Sequence, residues 1–235
     1  AYDTGADRYW LLNVGDIKPA ELAIKTFFDM AWDIDKYDIH SINEHQSAFM
    51  AKLFGEEYKP RFQRMLDEYY RLAWSRKPEF MGWEREWDEP EYTELASTDY
   101  SFQNYNDALR RLDDYQRLSD EALHLYHELP EASRPAFFEL IGYQALASYQ
   151  MNRKFLMAQL NRELLAEGKV EQANWAASQS QLAYDSIASL NHRYNTQLDG
   201  KWNYMMTLAP GWVAKYQHMP EVTYTKGKGE MPVDL

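Results

Sequence analysis

The segment Asn13-Val14-Gly15-Asp16-Ile17-Lys18-Pro19 gathers side chains that could act on a polar substrate. Asn13 can donate and accept hydrogen bonds, Asp16 can accept them, and Lys18 carries a positive charge suited to a carboxylate. Gly15 allows a turn that other residues adopt poorly. The segment follows Tyr9-Trp10-Leu11-Leu12-Asn13-Val14, a short apolar run that reads as a buried strand. In barrels and open α/β sheets the reacting groups gather at the C-terminal ends of strands, which is where this turn falls. A plainer reading stands beside it: Asp16 caps the following helix and Lys18 is a solvated surface charge.

Two further constellations carry weaker signals. Trp83-Glu84-Arg85-Glu86-Trp87 offers indole faces that can stack on sugars beside carboxylates that can bond hydroxyls, or else forms a solvated loop whose indoles dock on neighbouring helices. Glu121-Ala122-Leu123-His124 has the Glu-x-x-His spacing of di-iron bundles, but no second copy occurs. His124, His127 and Glu128 lack the internal Glu of the His-Glu-x-x-His zinc pattern. The six histidines (His40, His45, His124, His127, His192 and His218) are therefore expected on the surface or in ordinary hydrogen bonds, and no metal is expected. Gly227-Lys228-Gly229 lacks phosphate-loop spacing and no Gly-x-Ser-x-Gly elbow appears, so no cofactor is expected either.

The elements that must position these groups are mostly helical. Pro19 suits a first helical turn, and Ile24, Phe27, Phe28, Ala31 and Trp32 recur on one face with Lys25, Asp29 and Asp33 opposite. Ser41-Ile42-Asn43-Glu44 has the form of a capping box for a helix ending near Phe54, before Gly55. Phe62, Met65, Leu66, Tyr69, Leu72 and Ala73 mark another helix, closed at Lys77-Pro78. Residues 79–98 hold no period. Long helices are predicted from about Asp99 to Leu129, from Ser133 to Gly168, and from Ala173 to Asp199-Gly200, joined by short Pro and Gly turns into an antiparallel bundle. Residues 201–235 read as an extended exit segment, either a linker or an ordered arm.

Composition narrows the function classes. The 235 residues hold 37 Asp+Glu against 25 Lys+Arg, a net charge of −12, with no local basic patch, so nucleic acid is not an expected partner. There is no Cys, which excludes disulfides and thiolate metal sites. No apolar run approaches bilayer-spanning length, so no membrane is expected. The 8 Trp, 18 Tyr and 10 Phe suit either a core or a sugar-binding surface, and the helical spacing assigns most of them to helix seams, leaving Trp83, Trp87 and Trp202 as sugar-facing exceptions. A lone strand–helix unit ahead of a whole bundle reads as part of a larger protein, as does a first residue that is Ala rather than Met.

Several stretches are similar to glycoside hydrolase family 115, the α-glucuronidases acting on glucuronoxylan. They are Trp10 to Pro19 with Glu21, Phe27-Phe28-Asp29-Met30-Ala31-Trp32, Arg76-Lys77-Pro78-Glu79, Tyr100-Ser101-Phe102 with Asn104-Tyr105, Arg134 to Leu140, and Gly200 to Met206. Each is short, but they stand in family order and span nearly the whole chain. Tyr143-Gln144 and Gly211-Trp212 depart from the family's usual residues.

The resemblance implies a mainly α fold: a bundle of long antiparallel helices (37–200), preceded by one strand–helix unit (1–36) left over from a TIM barrel. It further implies removal of (4-O-methyl-)glucuronic acid from glucuronoxylan by inverting hydrolysis, which needs two carboxyl groups spaced to admit a water. The general acid would lie upstream of Ala1, leaving Asn13, Asp16 and Lys18 as substrate-side or supporting residues. The implied partners are glucuronoxylan or its oligosaccharides, the upstream barrel and a second copy in a homodimer. The implied location is secreted or periplasmic. The competing reading is a non-catalytic helical interaction or scaffold module.

Overall fold

Helices carry nearly all regular structure among the residues that the computed structural model describes: 2–15, 17–38, 41–82, 97–206 and 219–226. They are α1 (Glu21–Trp32), α2 (Ile42–Phe54), α3 (Lys59–Ser75), α4 (Asp107–Glu128), α5 (Arg134–Phe137), α6 (Tyr143–Ala166) and α7 (Val170–Gly200). A π-turn, Phe138–Gly142, joins α5 to α6 without a break. The helical bundle is thus as the periodicity predicts. No strand forms among the described residues. Residues 9–14, read as a strand, are unpaired coil, because nothing beside them offers a backbone ladder.

α6 packs most extensively on α7 and then on α4, while α2, α3 and α4 form the other side of the bundle. The closeness of α6 and α7 follows from small residues: Ala173, Ala176, Ala177, Ser180 and Ala183 are all buried on α7. The main core joins Met50 and Phe54 of α2, Phe62, Met65 and Leu66 of α3, Tyr115 and Leu125 of α4, and Phe137. The Phe137 ring sits edge-on to Phe54 at 5.9 Å and tilted against Phe62 at 6.3 Å. A second junction is polar. The buried Arg111 of α4 donates to Asn152 Oδ1 (2.6 Å), Tyr100 Oη (2.9 Å), Ser75 Oγ (3.0 Å) and the Arg76 carbonyl (2.6 Å).

Four boundaries differ from the sequence reading. α4 starts at Asp107, not near Asp99, because Tyr105 and Asn106 take left-handed φ of 57° and 52°. The predicted Ser41–Glu44 capping box does not form. Ser41 Oγ instead accepts from the Asp38 N–H at 2.8 Å, and Glu44 pairs with Lys59. The helix predicted from Ser133 to Gly168 contains the π-turn. α7 is broken at Gln197–Asp199, where Leu198 and Asp199 are left-handed.

The face of α1 is also reversed. Leu22 and Thr26 are buried, whereas Phe28, Ala31 and Trp32 of the predicted apolar stripe are exposed, Trp32 to 93%. Polar pairing holds the inner side: Asp29 receives Lys25 at 2.7 Å and His45 of α2 at 2.9 Å, and the Lys25 contact holds the Asp29 carboxyl below its ordinary range.

Beyond α7, residues 221–226 lie against α6 and α7. Asn161 Nδ2 donates to the Thr223 carbonyl (3.0 Å) while its Oδ1 accepts the Thr223 N–H (2.9 Å). Asn174 repeats the arrangement with Thr225, at 2.7 and 2.9 Å.

Candidate functional site

Lys18 turns from its loop toward the bundle. Its ammonium contacts the Glu21 carboxylate at the start of α1 and lies 3.1 Å from Glu139 Oε2 on the π-turn. It also stands 4.2 Å above the Trp202 indole, a favourable cation–π distance. Gln144, first turn of α6, donates to the Pro19 carbonyl at 3.3 Å. The turn is therefore tied to the bundle at two adjacent residues.

The π-turn is what places Glu139. It adds a residue to the helical repeat, and the whole run Phe138–Gly142 becomes buried. Phe138 packs with Leu146 and Tyr194, and the buried Tyr194 hydroxyl donates to Glu139 Oε1 at 3.4 Å. Burial, with the neighbouring Glu21 carboxyl, raises Glu139 to about 7, against the opposing pull of Lys18. Burial pulls the Lys18 ammonium down, but Glu21 and Glu139 outweigh it and hold the pKa above its ordinary value. Burial, then the two carboxylates, raises the Tyr194 phenol strongly.

Beside Gln144 opens a cavity of about 500 Å³ between α6 and α7, lined by Tyr143, Lys154, Tyr184, Asn191 and Glu79 among others. The Tyr143 hydroxyl donates to Asn191 Oδ1 at 2.6 Å, and burial pushes its pKa up to about 12. Lys154 is 1% exposed, lies 4.6 Å from the Phe155 ring centre, and is pushed down to about 7 by burial.

Of the three candidate site residues Asn13, Asp16 and Lys18, Lys18 enters the carboxylate cluster, where it meets Glu21. Asn13 lies exposed on the coil ahead of it, and Asp16, Trp83 and Trp87 lie outside the described residues. Trp202 is occupied by Lys18 and by Lys201 at 4.8 Å, so its ring is not an open sugar platform. Glu121 pairs with Arg61 at 2.6 Å. The sequence reading missed Glu139 and Tyr194. A signal existed, since Glu139 is a lone carboxylate within Phe137-Phe138-Glu139-Leu140-Ile141, and such a group needs partners if the run is buried.

The profile described as glycosyl hydrolase family 115 matches residues 1–80. Over its full length the chain is 35% identical to a solved structure with a TM-score of 0.80, titled as a novel family 115 4-O-methyl-α-glucuronidase with specificity for decorated arabinogalactans. By profile over residues 1–80 and by identity and fold over its full length, the chain is similar to glycoside hydrolase family 115. It spans 29% of that relative's length. No curated protein matches it. In this chain the ammonium of Lys18 is already paired with two carboxylates. Asn13, on the coil ahead of it, is exposed.

Proposed function

We propose that this chain is the helical part of an α-glucuronidase that removes (4-O-methyl-)glucuronic acid side chains from glucuronoxylan by inverting hydrolysis. The observation that carries the reading is the 35% identity, sustained over the whole chain, to a family 115 4-O-methyl-α-glucuronidase. In this reading the general acid lies outside these 235 residues. Asn13, Asp16 and Lys18 are the chain's substrate-side residues, Lys18 also tying its own loop to the bundle. The relative's stated preference supports a second substrate, decorated arabinogalactan. The parent enzyme, a homodimer in this proposal, would act outside the cytoplasm.

The test is uronic acid release from both polysaccharides. The polypeptide that carries this sequence within a whole family 115 enzyme releases (4-O-methyl-)glucuronic acid from one or both, and the 235-residue chain alone releases none. A whole enzyme inactive on both overturns the reading, and release by the chain alone overturns the placement of the acid.

The outward face of α1 supports attachment to a larger catalytic domain. Tyr9, Leu11, Ile17, Phe28 and Trp32 are each exposed on the N-terminal segment and α1, more large apolar side chains than one short segment usually leaves to water. Because these side chains bury little within the chain, Phe28→Ser with Trp32→Ser is expected to change its unfolding free energy by less than about 0.5 kcal/mol. The same pair is expected to reduce its concentration-dependent association in analytical ultracentrifugation. In the whole enzyme it is expected to lower the thermal midpoint, read by calorimetry.

A further inference from the structure

The buried carboxyl pair Glu21–Glu139 offers more than the binding of Lys18. The three groups come from three separately positioned elements: the turn (Lys18), the first residue of α1 (Glu21) and the π-turn (Glu139). Both Glu21 oxygens are buried, Glu139 is 5% exposed, and one ammonium serves both carboxylates. With both carboxyls ionised the trio carries one excess negative charge in a poorly solvated place. With one proton shared between them it is neutral.

We propose that Lys18, Glu21 and Glu139 form a proton-controlled clamp that fixes the 13–20 turn and α1 to the bundle when the carboxyl pair holds one proton, and loosens them when it holds none. Glu139 is in this sense a positioning residue. Its bearing on catalysis rests on the glucuronidase reading above, whereas the clamp itself can be tested without activity.

Among the described residues, the groups facing the pair come from α6, α7 and the segment after α7. Tyr194 of α7 donates to Glu139, and Tyr143 of α6 packs on Tyr194 at 5.4 Å. Trp202 closes the side of Lys18, with Lys201 on the same ring, and Arg193 of α7 lies over the Phe138 ring at 4.0 Å. Tyr194 and Tyr143 are held neutral by their raised pKa values, so the carboxyl pair is the group that changes. Away from the pair, α1 is held to α2 by His45 and Asp29.

The direction follows from the raised Glu139. Its ordinary value is 4.5 and its value in the closed clamp is about 7. The stabilisation is fully present below the ordinary value and is lost as pH rises through about 7. The experiment is amide hydrogen exchange of α1 between pH 5 and pH 7.5, corrected for intrinsic rates, with α6 as the internal reference. In the 235-residue chain, α1 opening is expected to become about tenfold or more easier across that range, one unit of pKa shift corresponding to a factor of ten. Glu139→Gln, which keeps the planar shape of the carboxyl group and cannot ionise, removes most of this dependence. Glu21→Gln does the same from the other side, at a helix start where folding is less at risk. The His45–Asp29 pair is present in all three proteins, so the difference between them isolates the clamp. A wild-type α1 that opens equally at both pH values overturns the proposal, as does an unchanged dependence in both variants. In the whole enzyme, loss of activity with normal α1 exchange would count against the glucuronidase reading and leave the clamp standing.

Discussion

Arg111→Ala is expected to lower the unfolding free energy by about 4 kcal/mol, read as a fall in the urea midpoint with an unchanged slope. Arg111 is 3% exposed, and its hydrogen-bond acceptors are neutral: the Asn152 amide, the Tyr100 hydroxyl, Ser75 and the carbonyls of Arg76 and Leu72. Its guanidinium also lies 4.6 and 4.9 Å from the Tyr100 and Tyr115 ring centres. Burial lowers its pKa, with Tyr115 and Tyr100 opposing. Truncation leaves these acceptors buried without their donor and opens a cavity where the end of α3, the segment before α4 and α6 converge. Lysine should recover less than half the loss, because one ammonium cannot reach acceptors arranged for a planar fork. A cost below 1 kcal/mol for the alanine variant would mean that water replaces the guanidinium freely.

The second large effect is expected at Phe137, where alanine should cost about 3–5 kcal/mol. The ring is fully buried between Phe54 of α2 and Phe62 of α3 and lies directly before the π-turn. A Cβ built on Gly142 would stand 3.3 Å from its Cε1, so the turn and the ring are fitted to each other. Phe137→Leu, which keeps most of the apolar volume, should cost less than about 1.5–2 kcal/mol in the same denaturation experiment. A comparable loss for both variants would show that shape, not buried volume, governs the site.

The long helices were legible because their apolar spacing and their stops are local facts. Leu112, Tyr115, Leu118, Ala122 and Leu125 recur at intervals of three and four, and Pro130 cannot continue the helix. The π-turn was not legible, since an inserted residue leaves no mark in an apolar run that is buried on all sides. The α1 stripe was legible as a stripe, but periodicity says only that a helix has two faces, and Lys25, Asp29 and His45 gave the inner side to polar pairing. For the candidate site, the turn carrying Lys18 could be found from residue types. Its partners could not, because Glu139 and Trp202 lie more than a hundred residues away and meet it only through the packing of α6 and α7.

The two asparagines that hold residues 223 and 225 read peptide groups and ignore side chains. Every residue other than proline presents the same N–H and C=O to an amide, so Thr223 and Thr225 could each be exchanged widely without disturbing the grip. Asn161 and Asn174 have no such latitude, since aspartate lacks the donor and glutamine places the amide one methylene too far. The freedom to drift therefore belongs to the arm and the obligation to the bundle, an asymmetry that lets residues 223 and 225 change while keeping the same path against α6 and α7.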